Sequence, residues 1–376
     1  MTNRAGTYQS NPGRYESYTP APLPPAPPVT LDGDGVNLLI QANRQLAVLD
    51  GLAVRLPNVE AFTPMLACKE ALLSAQIAGS TATLDDVLAP AEHRSEAAAE
   101  VIDCARATNY AIRRLNELPL GNQLIQEAHA VLLTGTPHRK QDQGYFRRTQ
   151  TWVGSIGDSP ENARYVPPTP EDMQQAMVGL ETYLDLSDGT DPLIRAALIL
   201  YQFETICPFT DGNGRVGRLL ALLFLMQHGL LSRPVLCLSH FLRFNRVEYL
   251  DRLAEVRKKG DFEQWVTFFL RAVMESAADG VKTIDRLTAL YTENLAKLDN
   301  SGKQAENQKR VFLYLLEHPI LEIQSTAEAL FTSYNAVARA VAALQEKGIL
   351  GQTTKVGRTR LYSYTAYLDI LRKGTE

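Results

Sequence analysis

The sequence predicts a mainly α-helical protein that ends in a small winged helix-turn-helix module. Apolar residues between about positions 36 and 298 recur at spacings of three and four, which is the period of amphipathic helices. Alternating patterns typical of strands are almost absent from this region. Residues 306–376 instead show three short helical patterns and then an alternating pair that turns at Gly357, the order found in winged helix-turn-helix modules.

Composition excludes several classes of protein. The chain has 376 residues, and its 38 Lys and Arg against 42 Asp and Glu give a net charge of −4, which excludes a globally basic nucleic-acid-binding protein. The four cysteines contain no CxxC pair, so a disulfide scaffold, a zinc ribbon and a thioredoxin motif are not expected. Without an 18-residue apolar run or a secretory signal, we expect a reduced, cytoplasmic protein with no membrane partner.

Four segments follow one another along the chain. Residues 1–30 are polar and then Pro-rich, which predicts a flexible arm that serves as a linker or, alternatively, as an SH3-type ligand. Residues 31–118 form an N-terminal helical region, 119–298 a helical core and 306–376 the winged module, after a polar boundary near 298–305. The predicted helices begin near residues 36, 63, 83, 95, 124, 170, 191, 215, 246, 262, 280, 307, 325 and 333.

The chemistry is concentrated in residues 203–218, FETICPFTDGNGRVGR. Two glycines before an apolar helix let backbone N–H groups surround an anion, and the helix N-terminus adds a positive dipole end. Arg215 and Arg218 lie three residues apart and face one site, while Asp211 can hold Mg²⁺. The pattern predicts a di- or triphosphate site; a hairpin turn is disfavoured because LLALLFLMQHGLL follows without alternation.

This stretch resembles the core motif of the Fic family, HPFxDGNGRxxR, whose members mostly transfer AMP from ATP to a hydroxyl of a target protein. The residues that agree are Pro208, Phe209, Asp211, Gly212, Asn213, Gly214, Arg215 and Arg218. GYFRRTQTWVGS, ARYVPPTPEDM, EALLSAQIAGSTATLDDVL and PVLCLSHFLRFNRVEYLDRL are similar to further family segments. The resemblance covers about residues 20–376 and implies a Fic helical core with a β-hairpin flap, an N-terminal helical region and the C-terminal winged module.

The resemblance also implies roles for individual residues, with ATP and Mg²⁺ as cofactors and an unidentified target protein as partner. Asp211 would hold Mg²⁺, and Arg218 the γ-phosphate. The remaining nucleotide contacts would come from Phe209, Gly212, Asn213, Gly214 and Arg215. A flap made of Thr151, Trp152, Val153, Tyr165 and Val166 would dock the target by strand addition, the alternative being an ordinary surface hairpin.

Two positions depart from the family pattern. The motif histidine, which deprotonates the target hydroxyl, is Cys207 here. The inhibitory motif [S/T]xxxE[G/N] keeps Ser74 and Gly79, but its glutamate is replaced by Ala78. We therefore expect Arg218 to lack its usual intramolecular partner, the ATP pocket to be open and the glutamate-dependent removal of AMP to be absent.

Cys207 leaves three hypotheses open: an inert thiol in a surviving nucleotide pocket, a substitute base, or a nucleophile that takes the AMP itself. Loss of a general base costs about 10²–10⁴ in rate. A thiol with a pKa of about 8.5 is only a few per cent thiolate at neutral pH; a helix N-terminus would lower that pKa and a triphosphate would raise it. We expect AMP transfer to be weak or absent, as in a pseudoenzyme.

The C-terminal module suggests a second partner. Ser333, Tyr334 and Asn335 begin its third helix, Arg339 follows one turn later, and Arg358 and Arg360 lie on the wing. This modest basic patch is adequate for phosphate contacts with DNA, and the alternative is a protein-binding or homodimerisation module. The competing function is therefore a non-catalytic, nucleotide-sensing, DNA-binding transcriptional regulator.

Overall fold

Helices dominate the structure, a computed structural model that describes residues 2–135, 142–155, 157–298, 302–356 and 359–376. The helices are α1 (Gly33–Ala53), α2 (Val59–Ile77), α3 (Leu84–Leu88), α4 (Glu96–Arg114), α5 (Asn122–Leu132), α6 (Pro170–Asp185), α7 (Pro192–Ile206), α8 (Asn213–Gln227), α9 (Leu238–Phe244), α10 (Arg246–Lys259), α11 (Phe262–Ala296), α12 (Lys303–Glu317), α13 (Ile323–Ala329), α14 (Tyr334–Glu346) and α15 (Thr365–Arg372). The strands are β1 (Thr2–Asn3), β2 (Gly6–Asn11), β3 (Tyr15–Pro20), β4 (Ile320–Glu322), β5 (Gly351–Val356) and β6 (Thr359–Ser363).

The N-terminal segment differs from the flexible arm expected for residues 1–30. β1, β2 and β3 form an antiparallel sheet in that order, with Tyr8 opposite Tyr18. The Tyr18 ring is fully buried, and the Tyr18 amide donates to the Val166 carbonyl at 2.9 Å. Gln202 of α7 donates to the Ala21 carbonyl at 2.9 Å. The polar, aromatic strands fold because α6, α7 and the flap supply the apolar surface that they lack alone.

The centre of the molecule is built on α7, α8 and α11. Most residues of α7 and α8 are buried around the whole helix, which is why their sequences show little amphipathic asymmetry. The Trp265 ring of α11 is fully buried, and its indole N–H donates to the Ala197 carbonyl at 2.7 Å. α7, α8 and the six-residue turn between them are thereby fixed inside one large apolar core.

One long helix replaces the two predicted over Phe262–Ala277 and Gly280–Leu298. α11 runs through Gly280 without interruption. A Cβ at Gly280 would lie 2.9 Å from the Cδ1 of Leu49, so the glycine allows α1 to pack closely on α11 rather than ending the helix.

The C-terminal region contains α12, β4, α13, α14, β5, β6 and α15, with the strands ordered β4-β6-β5 in an antiparallel sheet. β4 and α15 were not expected from the sequence. The region packs on α2 and α11: the Tyr367 ring lies 6.0 Å from the Phe62 ring, and Asn294 donates to the Tyr364 hydroxyl at 2.7 Å. Its assignment as a winged helix-turn-helix stays a prediction. Among the described residues no helix has the length and apolarity needed to cross a membrane.

Replacing Tyr18 tests whether the N-terminal sheet is part of the folded core. We expect Tyr18→Ala to lower the free energy of unfolding by about 3–5 kcal/mol, the usual cost of deleting a buried aromatic ring. Urea unfolding followed by circular dichroism measures it, with Glu16→Ala, an exposed position on the same strand, as the control that changes stability by less than about 0.5 kcal/mol. Equal midpoints for the two variants would instead indicate a loosely attached arm.

Candidate active site

The turn between α7 and α8 carries residues 207–212 of the motif. Cys207 (φ 47°) and Gly212 (φ 76°) both adopt the left-handed backbone conformation. Gly212 is required on two grounds, because a Cβ there would also lie 3.0 Å from the Leu132 side chain. The chain therefore bends sharply at Cys207, where α7 ends, and again at Gly212, where α8 begins. The N-terminus of α8 faces the open space beside the turn.

Asn213 holds this turn closed. Its side-chain oxygen accepts from the Phe209 amide at 2.9 Å, and its side-chain nitrogen donates to the Phe209 carbonyl at 2.8 Å. The Asn213 side chain therefore has a structural role in the turn, and the phosphate contact predicted for Asn213 stays a prediction. The backbone N–H groups of Asn213, Gly214 and Arg215 belong to the first helical turn and lack helical acceptors, so they are the groups available to an anion.

A cavity of about 740 Å³ lies beside the turn, large enough for a nucleotide. The motif turn forms one wall, the flap a second, and α10 a third. The lining includes Ala78, Thr151, Trp152, Val153, Tyr165, Glu204, Cys207, Asp211, Gly212, Asn213, Gly214, Arg215, Arg246 and Arg257. The structure thus brings the predicted phosphate site (called the amide cradle below, after the backbone N–H groups at the start of α8), the flap and the inhibitory position Ala78 together around one cavity.

Cys207 lines this cavity as a neutral thiol. Its Sγ donates to the Glu204 carbonyl at 3.0 Å, and the side chain is 7% exposed. Burial, followed by the charge of Glu204, raises the pKa of Cys207 to about 12. The helix that ends at Cys207 is α7, so the thiol sits at the negative end of a helix dipole, opposite to the N-terminal effect considered from the sequence.

Arg215 reaches the cavity with acidic partners on either side. Its guanidinium forms an ion pair with Glu100 of α4 and lies 3.6 Å from the Asp211 carboxylate. One Asp211 oxygen accepts from the Gly212 amide at 2.7 Å. Among the described residues no group of three His, Cys, Asp or Glu side chains could enclose a metal. Asp211 alone fits Mg²⁺ only in the manner usual for that ion, one carboxylate together with substrate phosphates and water.

Arg218 lacks the family's glutamate partner, as expected, but other intramolecular partners hold it. Its Nε donates to the Ser74 hydroxyl and its Nη2 to the Ser74 carbonyl, both at 2.9 Å, and its Nη1 lies 3.6 Å from Glu204. The guanidinium is buried and is not among the residues that line the cavity. The loss of the glutamate at Ala78 therefore leaves Arg218 paired, because a buried cation needs hydrogen-bond acceptors from some source.

Phe209 belongs to the core and not to the cavity lining, which corrects its predicted nucleotide contact. Its ring is fully buried and stacks on the His129 ring at 3.7 Å. His129 accepts from the Gly144 amide at Nδ1, so its proton is on Nε2 and is donated to the Asp211 carbonyl at 3.1 Å. No local pattern indicates this role for His129, which lies on an ordinary amphipathic helix, α5.

The flap is narrower than the predicted hairpin. A single antiparallel bridge joins Val153 to Tyr165, while Trp152 and Val153 are exposed. Tyr165 and Val166 are buried, and the Tyr165 hydroxyl donates to the Thr205 carbonyl at 2.5 Å. Because the Val166 carbonyl already accepts from β3, strand addition within the described part of the flap is left to the edge around residues 151–155. Docking of a target by the flap stays a prediction.

Arg147 connects the flap to the motif turn, a role that the sequence did not reveal. Its guanidinium donates to the carbonyls of Cys207 at 2.8 Å, Thr149 at 3.1 Å and Pro168 at 2.5 Å, and its amide donates to the Pro208 carbonyl. The side chain is buried, and among the described residues no carboxylate forms an ion pair with it. Arg147 is therefore a positioning residue that fixes the backbone at position 207, called the base position because the family motif has its histidine there.

The residues predicted to contact DNA lie on the surface of the C-terminal region. Ser333, Tyr334, Asn335 and Arg339 are exposed on the first half of α14, and Arg360 is exposed on β6. Arg358 lies outside the described residues. Ser333 also caps α14 by accepting from the Ala336 amide at 3.3 Å.

Comparison with known families confirms the resemblance inferred from the motif. Residues 119–225 match the model of the Fic/DOC family, and residues 36–113 match that of the Fic/DOC family N-terminal region. The two segments contain the motif turn, the flap and the helix that carries Ser74.

Protein adenylyltransferases are similar to part of this chain. The chain is 35% identical over 127 residues to a protein adenylyltransferase Fic of Culex quinquefasciatus, which is 33% of this chain and 22% of that protein. It is 32% identical over 177 residues to that of Drosophila virilis, 46% of this chain and 32% of the relative. The chain therefore spans less than a third of the length of these relatives.

Solved structures show the same fold. A Fic family protein of Desulfovibrio desulfuricans G20 superposes with a TM-score of 0.59 at 21% identity, covering 90% of this chain and 97% of that one. A Fic domain containing signaling protein of Bacteroides thetaiotaomicron VPI-5482 has a TM-score of 0.50 at 18% identity, covering 65% and 98%. The mainly helical Fic fold predicted from the sequence is confirmed.

His129 predicts a pH-dependent stability of the turn. Burial lowers the pKa of His129 to about 4, so between pH 6.5 and 4 the unfolded chain takes up a proton that the folded chain refuses. The free energy of unfolding should then decrease as the pH is lowered through this range, by up to about 1.4 kcal/mol per pH unit from this residue alone. His129→Phe, which keeps the stack on Phe209, should unfold more easily at pH 8 but show a shallower loss of stability down to pH 4. Parallel slopes in urea titrations would contradict the assignment.

Proposed function

We propose that this chain, in which a Fic/DOC domain follows its N-terminal companion region, binds ATP and is built for AMP transfer to a target-protein hydroxyl, with a rate limited by Cys207. The observation that carries the proposal is the meeting of the amide cradle, Arg215 and the exposed flap edge at one cavity. The similarity to protein adenylyltransferases supports the reaction type. The four cysteines are unpaired thiols, in keeping with the reducing, cytoplasmic setting that we propose.

In this proposal the N-terminus of α8 binds the α- and β-phosphates. The free amides of Gly214 and Arg215 donate to phosphate oxygens, and the helix dipole adds to their positive potential. Mg²⁺ bound by Asp211 would neutralise phosphate charge when present. The Arg215 guanidinium, oriented by Glu100, lies on the same side of the turn and supplies a fixed cation.

The exposed edge of the flap would place the target hydroxyl near Cys207. Phosphoryl-type transfer depends mainly on positioning and charge stabilisation, so the cradle can retain some activity without a base. The thiol contributes no general-base catalysis, because a group with a pKa of about 12 stays protonated at neutral pH and its proton points to the Glu204 carbonyl. We therefore propose that AMP transfer is slower by about 10²–10⁴ than with histidine at this position.

Restoring histidine at position 207 tests the proposal. We expect Cys207→His to incorporate label from [α-³²P]ATP into protein in the presence of Mg²⁺ about 10²–10⁴ times faster than the native chain, since only a base is added to an existing site. Cys207→Ala is the matched control and should equal the native chain, because an inert thiol is expendable. Absence of label in Cys207→His, together with no ATP binding by calorimetry, would refute AMP transfer; label in the native chain that is lost in Cys207→Ala would refute the inert thiol.

The exposed face of α14 favours a second candidate function, a DNA-binding regulator. Tyr334 is 52% exposed at the start of α14, with Asn335 and Arg339 beside it, and Phe331 in the preceding turn is 96% exposed. An aromatic, amide and guanidinium group on the first half of such a helix is an arrangement suited to phosphate and base-edge contacts. Protein binding or homodimerisation through the same face is the alternative.

Gel retardation of a random-sequence DNA duplex at 50 mM salt tests this second function. We expect binding in the micromolar range, and we expect Arg339→Gln to weaken it several-fold because one phosphate contact is lost. The loss of that contact should also reduce the dependence of binding on salt concentration. Arg286→Gln, an exposed position on α11, removes the same charge outside the module and should bind like the native chain. Equal retardation of the two variants, or none by the native chain, would contradict DNA binding through α14.

A further inference from the structure

Four arginines of the described residues line the cavity, and three of them are held by other groups. Arg215 pairs with Glu100, and Arg164 lies 3.1 Å from the Asp251 carboxylate. Arg246 donates from Nε to the Ile77 carbonyl at 3.2 Å, at the end of α2. Arg257 is the exception: within the described parts of the chain its side chain has no hydrogen bond and no carboxylate within ion-pair distance.

Arg257 is nevertheless held in position. Its guanidinium carbon lies 4.0 Å from the centre of the Tyr165 ring, in a cation–π contact. The backbone carbonyl of Arg257 accepts from the Asn3 side chain at 2.9 Å. Because the ring of Tyr165 is itself clustered with Tyr18 and Cys207, the N-terminal sheet and the flap together place this guanidinium on the cavity wall near the base position.

The stack leaves the hydrogen-bonding capacity of Arg257 unused. A guanidinium on an aromatic face keeps its five N–H groups in the plane, directed away from the ring, where they can donate to an anion. The side chain is half-buried. A cation with a fixed direction and unsatisfied donors on the wall of a cavity is suited to a phosphate oxygen.

The cavity needs such a cation, since Arg218 is directed elsewhere. Ser74 and Glu204 hold the Arg218 guanidinium outside the lining, so that motif arginine does not meet the phosphate chain in this conformation. Arg215, on the motif turn and α8, divides its charge between Glu100 and Asp211.

We propose that Arg257 is a phosphate-binding residue of the nucleotide cavity, supplying from α10 the second cation that Arg218 does not present there. The inference rests on the proposed nucleotide site and adds to it a residue outside the motif and a role for the N-terminal sheet. The ligand class is a nucleotide with at least one phosphate group, contacted through its non-bridging oxygens.

Calorimetric titration of the full chain with ATP, ADP and adenosine separates this role from a purely structural one. We expect Arg257→Gln to weaken ATP and ADP about 5- to 50-fold while leaving adenosine unchanged, since only the phosphate contact is lost. Arg257→Lys should recover part of the affinity, because it keeps the charge without the planar donors. Arg252→Gln, on the same helix and paired with Glu248 at 3.0 Å, is the matched control and should bind like the native chain.

The outcomes separate the two proposals. Native-like ATP affinity in Arg257→Gln, or an equal loss for ATP and adenosine, would overturn the role of Arg257 while leaving the nucleotide site intact. A native chain that binds none of the three ligands would overturn both proposals. The thermal unfolding midpoint of each variant is measured beside the titrations. Partial recovery of ATP affinity in Arg257→Lys, at an unchanged unfolding midpoint, would support a charge contact over a packing effect.

Discussion

The hydrogen bonds that close the turn between α7 and α8 are the interaction on which the site depends. Asn213 binds both backbone groups of Phe209, His129 binds the Asp211 carbonyl, and Arg147 binds the Cys207 carbonyl. A non-glycine residue in the left-handed region costs about 1 kcal/mol, so Cys207 keeps its conformation only because these contacts fix the chain on both sides. The result is a helix N-terminus whose free amides face open space inside a packed core.

The same burial that builds this cradle makes its thiol unreactive. In the proposed nucleotide site, backbone amides and Arg215 would gain strength as phosphate ligands where the bound nucleotide excludes water, because electrostatic interactions increase in a low dielectric. The Cys207 thiol experiences the opposite effect, because burial and the charge of Glu204 raise its pKa by more than the nearby guanidinium groups lower it. A base at position 207 must therefore be neutral before it accepts a proton, as imidazole is, since a thiol has to ionise first and thereby place an anion beside phosphates. The site is electrostatically suited to histidine and unsuited to cysteine.

The sequence predicted the part of the site that is continuous along the chain. Asp211, Gly212, Gly214 and Arg215 lie where their pattern placed them, because a turn followed by a helix N-terminus is specified by neighbouring residues. Contacts between distant segments were not predictable. Asn3 and Arg257 are 254 positions apart, and no local pattern relates them. The prediction for the N-terminal strands was wrong for a similar reason. Their stability comes from surfaces of α6, α7 and the flap, so their polar sequence resembles that of a flexible arm.

Arg218 shows why the loss of an inhibitory residue does not by itself open a site. A buried guanidinium without acceptors would carry a desolvation penalty of several kcal/mol, so the fold is stable only with some set of oxygens around it. Here that set is the Ser74 hydroxyl and carbonyl, with Glu204 at 3.6 Å, while Ala78 leaves its methyl group on the cavity wall. The arginine can turn to a phosphate only if the ligand supplies stronger contacts than these. Release of Arg218 is thus a competition between the protein's acceptors and a ligand phosphate. Replacing the glutamate by Ala78 removes one protein acceptor, but the others still hold the guanidinium.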